Sequence, residues 1–204
     1  MSASKPTPKI SDDTRQQILE AAWALMSVQG RLDLGMAELA AAAGVSRQTL
    51  FYAFGNRAGL LVAMARHRDT TSEPVARMRA LARGPGADRD TLMAFIDAWC
   101  DYLPDIYPVA IQLETASLHD PAAAAAWQDR IFSQGTRLGL DLILTRMAQA
   151  CVLGDGPDPA RRADLVLSLL VPSAWRHLVV EHGWSPVAFA ASRRQLIDTV
   201  LAAP

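Results

Sequence analysis

Residues 34–54 read LGMAELAAAAGVSRQTLFYAF, and the order of residue types in this stretch decides the fold. Two short helices that cross closely need a small residue at the crossing, a glycine in the turn between them and apolar residues on both inner faces. Ala40 supplies the first, Gly44 the second, and Leu39, Ala43, Val45 and Leu50 the third. Glycine adopts the left-handed turn conformation without a Cβ penalty, and Ser46 is a natural N-cap for the second of the two helices. The spacing therefore predicts helices over Met36–Ala43 and Arg47–Ala53, with Arg47, Gln48, Thr49 and Tyr52 turned largely outward and Phe51 and Phe54 in the core. Guanidinium suits guanine, a carboxamide suits adenine and hydroxyls suit phosphates, so the outward face has the chemistry of a groove-reading helix.

Working outward, apolar residues Ile18, Leu19, Ala22, Leu25 and Met26 recur at three- and four-residue spacing and predict a helix from Asp12 to about Gln29, stopped by Gly30. Residues 1–10 offer little to bury and read as a flexible arm. After the Gly55-Asn56 break, a long helix runs from Arg57 to about Leu81 with a kink at Pro74, and Gly84-Pro85-Gly86 ends it. Helical periodicity continues over Asp90–Leu103, Ile106–Leu118, Ala122–Leu153, Ala160–Gly183 and Val187–Ala202. Asp120-Pro121, Asp158-Pro159 and Ser185-Pro186 each put a capping side chain before a proline suited to a first helical position. The expected architecture is all-α with about nine helices. It divides into a helix-turn-helix domain at 11–56 and a helical ligand-binding and dimerisation domain at 57–204.

The run TRQQILEAAWALM, a glycine, and MAELAAAAGVSRQTLFYAFGNRAGLL, within 14–61, resembles the N-terminal domain of the tetracycline-repressor (TetR) family. The resemblance rests on the turn Gly44-Val45-Ser46, the Thr49-Leu50-Phe51-Tyr52 core with Phe54, and the small-polar-then-basic start of the next helix. It covers about a quarter of the chain. It implies that Thr49 and Tyr52 contact phosphates, that Arg47 and Gln48 lie near base edges, and that Arg57 holds a phosphate. The chain departs from the family pattern at Leu34-Gly35, where a Thr/Ser pair is usual, at Ala53, where histidine is frequent, and at Ala58-Gly59, where an acidic residue is expected.

A formal net charge of −1 gives no global basic signature, but charge is unevenly placed. Residues 1–80 carry a net +3 and residues 81–204 a net −4. Lysine occurs only at Lys5 and Lys9 against 18 arginines, which reads as compositional background. Cys100 and Cys151 both fall in apolar segments expected to be helical, pointing to reduced thiols, with a disulfide between them left open. With no charged-then-apolar leader and no apolar run near the roughly 20 residues of a membrane span, a cytoplasmic protein is expected.

In the TetR family the C-terminal helices form an inducer pocket and a dimer interface, a resemblance that transfers roles but no residues. Read directly, Trp99, Tyr102, Leu103, Tyr107, Ile111 and Trp127, with Pro104 and Pro108 among them, are the expected lining of an apolar ligand cavity, and Gln112, Glu114 and His119 could orient a ligand. Apolar stripes predict a two-fold interface through Leu169, Trp175, Leu178, Val179, Arg194, Ile197 and Leu201. His177 and Glu181 share a helix face, but no H-E-x-x-H, phosphate loop or nucleophile turn occurs, so neither a metal, a cofactor nor catalysis is expected. The expected function is a homodimeric repressor that binds an inverted repeat of operator DNA and is released by a small apolar ligand. The rival readings are a ligand-binding or enzymatic helical protein without DNA activity, and a regulator governed by a protein partner or a thiol switch.

Overall fold

A computed structural model describes residues 10–29, 34–133 and 135–202, and every regular element among them is helical. Eleven α-helical segments and two π-helical turns, grouped across kinks at Ser72 and at Leu170–Val171, make nine helical units. The expected arm, apart from Ile10, and the stop at Gly30 lie outside the described residues.

Helix α1 spans Asp12–Gln29 and buries Ile18, Leu19, Ala22 and Met26 on one face. Helices α2 (Met36–Ala42) and α3 (Arg47–Phe54) cross at the buried Ala40, and Gly44 between them has φ +65°, the left-handed conformation expected of it. Ser46 Oγ accepts the Thr49 N–H at 3.0 Å. Gly35 has no side chain with which to cap α2, but the Glu38 carboxylate accepts the Gly35 N–H at 3.0 Å, which is the reciprocal half of a capping box. Phe54 is buried as expected, whereas Phe51 is 37% exposed. One residue of helix turns it about 100° from the buried Leu50, so it sits on the rim.

Ser72 ends α4 (Arg57–Thr71) and caps α5 (Glu73–Arg83), with Pro74 in the first turn of α5, where its missing N–H costs nothing. The expected kink is therefore present. Helix α6 (Arg89–Ala116) is one unbroken helix of 28 residues, where two helices were expected around Pro104. Pro104 and Pro108 remove the donors that would close on the carbonyls of Cys100 and Pro104, but the helix is held on several sides by neighbouring segments, and packing overrides the local breaker.

The segment expected as one helix over Ala122–Leu153 is instead α7 (Pro121–Gln128), a π-turn over Asp129–Ser133 and α8 (Thr136–Gln149). The backbone turns so tightly at Gly135 that a Cβ there would lie 1.9 Å from the Arg130 carbonyl oxygen. Likewise Ala160–Gly183 resolves into α9 (Pro159–Leu169), α10 (Pro172–Trp175) and a π-turn over Arg176–Glu181, before α11 (Pro186–Ala202). Contrary to the sequence expectation, the 23-residue stretch Pro159–Glu181 is long and apolar enough to cross a membrane by length and composition, with mean hydropathy 1.3. It bends at Leu170–Val171, and Arg162 within it is fully buried against protein.

Three buried or half-buried arginines close helix ends. Arg146 donates to the carbonyls of Leu81, Ala82 and Gly86 at the end of α5. Arg162 donates to Leu201 at the end of α11 at 2.6 Å and to Gly154, Asp155 and Pro157 in the preceding loop. Arg193 reaches the last residue of α9, Leu169, at 3.2 Å, and burial lowers its pKa from the usual arginine value. A helix end carries unpaired carbonyls and partial negative charge, and a guanidinium fork satisfies several at once.

Gly135→Ala forces its methyl into the Arg130 carbonyl, so an overpacking loss of about 1–3 kcal/mol is expected in urea unfolding. Gly154→Ala, with nothing within 4 Å of its added Cβ, should stay within about 0.5 kcal/mol of the parent. Equal losses in both would contradict the role of the tight turn.

Candidate nucleic-acid interface and adjoining cavity

The outer face of α3 presents Arg47, Gln48 and Tyr52 to solvent, with Tyr52 52% exposed. The Arg47 guanidinium lies 5.3 Å from the centroid of Phe51, so the exposed ring props the arginine at the start of the helix. Thr49 is half-buried and its hydroxyl is 2.8 Å from Ser46 Oγ. The far end of α3 is clamped by Arg15 of α1, which donates to the Ala53 carbonyl at 2.8 Å and stacks 4.4 Å over Phe54. That clamp joins residues 38 apart in sequence and had no local signal.

Arg57, expected at a phosphate, is turned inward. Its Nε donates to the Leu34 carbonyl at 3.2 Å and its Nη2 donates to Gln112 Oε1 of α6. Gln112 is itself buried and donates to the Pro108 carbonyl at 2.7 Å. Arg57 thus ties the segment before α2, the start of α4 and the last turns of α6 together. Gln112 is absorbed by this contact rather than aimed at a ligand. Glu114 accepts Ser173 N–H and Oγ–H at 2.9 Å each across α10, and burial raises its pKa. His119 is exposed.

Between α4, α5, α6, the α7–α8 junction and α8 lies a cavity of about 170 Å³. Trp99, Tyr102 and Trp127 line it as expected, with Ala65, Val75, Met78, Phe95, Ile106, Val109 and Leu113 around them. Leu103, Tyr107 and Ile111 do not. The cavity face of α6 runs through Phe95, Trp99, Tyr102, Ile106, Val109 and Leu113 at three- and four-residue steps, and the other three lie on the neighbouring stripe. Leu103 and Ile111 are buried, and Tyr107 is half-buried with its hydroxyl pKa raised by burial.

The polar centre of the cavity was not visible in the sequence. Asp69 of α4 accepts the Tyr102 hydroxyl at 2.6 Å and is bridged by Arg130 of the π-turn, whose Nη2 donates to Asp69 Oδ1 at 2.8 Å while Nη1 meets Oδ2. Burial and then Asp69 push the Tyr102 pKa well above the ordinary phenol value. Burial opposes the charge on Arg130, but its bonds to Asp69 outweigh it and hold the guanidinium charged. Trp99 commits its indole N–H to the Leu170 carbonyl at 2.9 Å.

Residues 18–64 match the family model described as bacterial regulatory proteins, tetR family. A tetR-family N-terminal motif thus lies over α1 to α4. A TetR transcription regulator from Haloarcula marismortui ATCC 43049 superposes with TM-score 0.72 at 15% identity over 95% of this chain and 98% of its own. A putative transcriptional regulator from Saccharomonospora viridis, in complex with choline, gives 0.69 at 20% identity over 92% and 97%. The TetR-like regulator LfrR from Mycobacterium smegmatis, in complex with proflavine, gives 0.54 at 21% over 94% and 97%. No curated protein matches the chain. The N-terminal match covers the α2–α3 motif, and the structural likenesses, at 15–21% identity, show that the chain shares their fold.

At the C-terminal end, two residues expected at a dimer seam belong to the subunit's own core. Ile197 is fully buried, and Trp175 packs edge-on to Phe189 at 5.1 Å. Leu169, Leu178, Val179 and Leu201 are half-buried against that core, and Arg194 pairs with Asp97 at 2.6 Å. The break at Leu170–Val171 and the π-turn shift the helical register after α9, and Leu165, Val180, Trp184, Val187 and Leu196 are large apolar residues left exposed at this end of the chain. The π-turn also brings His182 beside His177 and Glu181, with ligand atoms within 4.8 Å of one another. These three could meet a cation, but all are exposed and Glu181 is already paired with Arg176 at 2.9 Å. Cys100 and Cys151 are both free, and burial pushes the Cys100 thiol up to about 12, which keeps it from acting as a thiolate.

Asp69→Asn would leave the Arg130 guanidinium mostly buried without its counter-charge, and a loss of about 3 kcal/mol in denaturant unfolding is expected. Adding Arg130→Met should recover much of that loss. Additive single losses would show that the pair is not coupled.

Proposed function

We propose that this chain is a homodimeric repressor that reads an inverted-repeat operator with α3 and is released when a small, mainly apolar molecule fills the α6 cavity. The observation that carries the reading is that α6 both walls the cavity and, through Gln112, holds Arg57 at the start of α4. In this reading, residues 11–56 form the DNA-reading domain and 57–204 the effector and dimer domain, acting in the cytoplasm where the operator lies. Similar structures that hold choline and proflavine support a small-molecule site in this fold. Differential affinity is the whole mechanism: the ligand must prefer the subunit arrangement that does not fit the operator.

Arg47 and Gln48 are proposed to set base preference, with Thr49 and Tyr52 on the backbone and Arg57 bracing the domain from within. In selection from random-sequence DNA, Gln48→Ala is expected to relax one position per half-site and cost about 1–3 kcal/mol. An unchanged selected motif would remove Gln48 from base reading. Arg57→Ala should weaken binding without changing the salt slope, whereas a slope flattened by about one unit would restore the phosphate role.

Exposed apolar residues of the C-terminal helices, Leu165 and Val187 first among them, are proposed to supply the seam, since burial in a two-fold contact would remove them from water. Val187 is 79% exposed in the subunit, so Val187→Glu with Leu165→Glu should leave the subunit helical by circular dichroism and yield monomers in sedimentation. A double variant that still sediments as a dimer would place the interface elsewhere.

A further inference from the structure

We propose that the cavity is selective for an amphipathic organic anion, with an apolar body inside and a carboxylate held at the mouth by Arg79 and Arg83. The inference rests on the reading of this cavity as the effector site. Its charged lining is three guanidinium groups, Arg79, Arg83 and Arg130, against one carboxylate, Asp69. Asp69 is already engaged by Arg130 and Tyr102, which leaves Arg79 and Arg83 as uncompensated positive charge.

These two stand apart from the other arginines among the described residues. Arg66, Arg68, Arg77, Arg89, Arg130, Arg137, Arg161, Arg176 and Arg194 each have an acid within 4.0 Å. Arg15, Arg57, Arg146, Arg162 and Arg193 donate to backbone carbonyls, and Arg47 stacks on Phe51. Arg79 and Arg83, both exposed, have neither an acid nor a carbonyl nor a ring as partner among the described residues. They are four residues apart on α5, so one helix face carries both, and both line the cavity.

Their position gives the ligand a direction. The exposed members of the lining are Arg79, Arg83, Leu138 and Leu142, which mark the mouth between α5 and α8, while Ala65, Phe95, Tyr102, Ile106 and Val109 are buried and mark the floor. A molecule entering apolar end first meets hydrocarbon and aromatic walls throughout and a polar centre that needs no further partner. Its charged end stops between two guanidinium forks, whose planar donors match a carboxylate. Because the mouth faces water, screening limits the strength of this ion pairing. The apolar body supplies most of the affinity, and the arginines supply the choice of sign.

Octanoate, octanol and octylamine share one apolar body and differ in charge, so calorimetric titration of the full-length protein with each separates the two contributions. The expected order is octanoate, octanol, octylamine, with about tenfold between the first two. Arg79→Gln with Arg83→Gln, both at exposed positions, should leave thermal unfolding and octanol binding unchanged and erase the preference for octanoate. Octanol binding as tightly as octanoate, or an undiminished preference in the double variant, would overturn the charge assignment while leaving the effector reading intact. Failure of all three to bind the parent would overturn the effector reading and this inference with it.

Discussion

Helix α6 is the constraint on which the rest of the molecule depends, because one helix of 28 residues has to satisfy several neighbours on separate stripes. One stripe walls the cavity through Phe95, Trp99, Tyr102, Ile106, Val109 and Leu113. Another carries Asp97, Asp101 and Asp105 at four-residue intervals, each taken by an arginine from a different helix: Arg194 of α11, Arg77 of α5 and Arg68 of α4. Half-exposed pairs of this kind contribute little singly, and their effect is to fix which helix lies where. Near its end, Gln112 and Glu114 hold Arg57 of α4 and Ser173 of α10. A shift of α6 cannot remain local when its contacts reach the start of α4 and the C-terminal helices together.

The sequence was most legible where structure is decided within a few residues. Helix α1, the α2–α3 turn, the Ser72 kink and α11 follow from caps, glycine and short apolar periods, and the exposure of Arg47, Gln48 and Tyr52 follows from α3 alone. It was least legible where distant residues decide. Pro104 and Pro108 read as breaks because the helices holding α6 straight lie elsewhere in the chain. Gly135 and the two π-turns divide runs that look uniformly helical, and the pairing of Asp69 with Arg130 spans 61 positions.

The arginine content shows the same limit. Set against only two lysines, 18 arginines looked like composition without meaning, yet Arg146, Arg162 and Arg193 each reach the carbonyls at a helix end. A lysine offers a single point charge where these sites use a planar fork, so the choice of residue has a structural reason even if its origin is compositional. The two arginines left over, Arg79 and Arg83, become informative only against that background of consistent pairing.

The Gln112–Arg57 contact is the proposed physical route by which the cavity would be coupled to the outer face of α3. A coupling free energy is measured as the ratio of operator affinities with and without ligand. The most direct measurement is fluorescence anisotropy of a labelled operator, recovered by selection, with and without saturating octanoate, in the parent and in Gln112→Leu. The expected result is an operator complex at least about fivefold weaker with ligand in the parent and little or no ligand effect in the variant. A ligand effect of equal size in both proteins, or none in the parent with the cavity demonstrably filled, would contradict it.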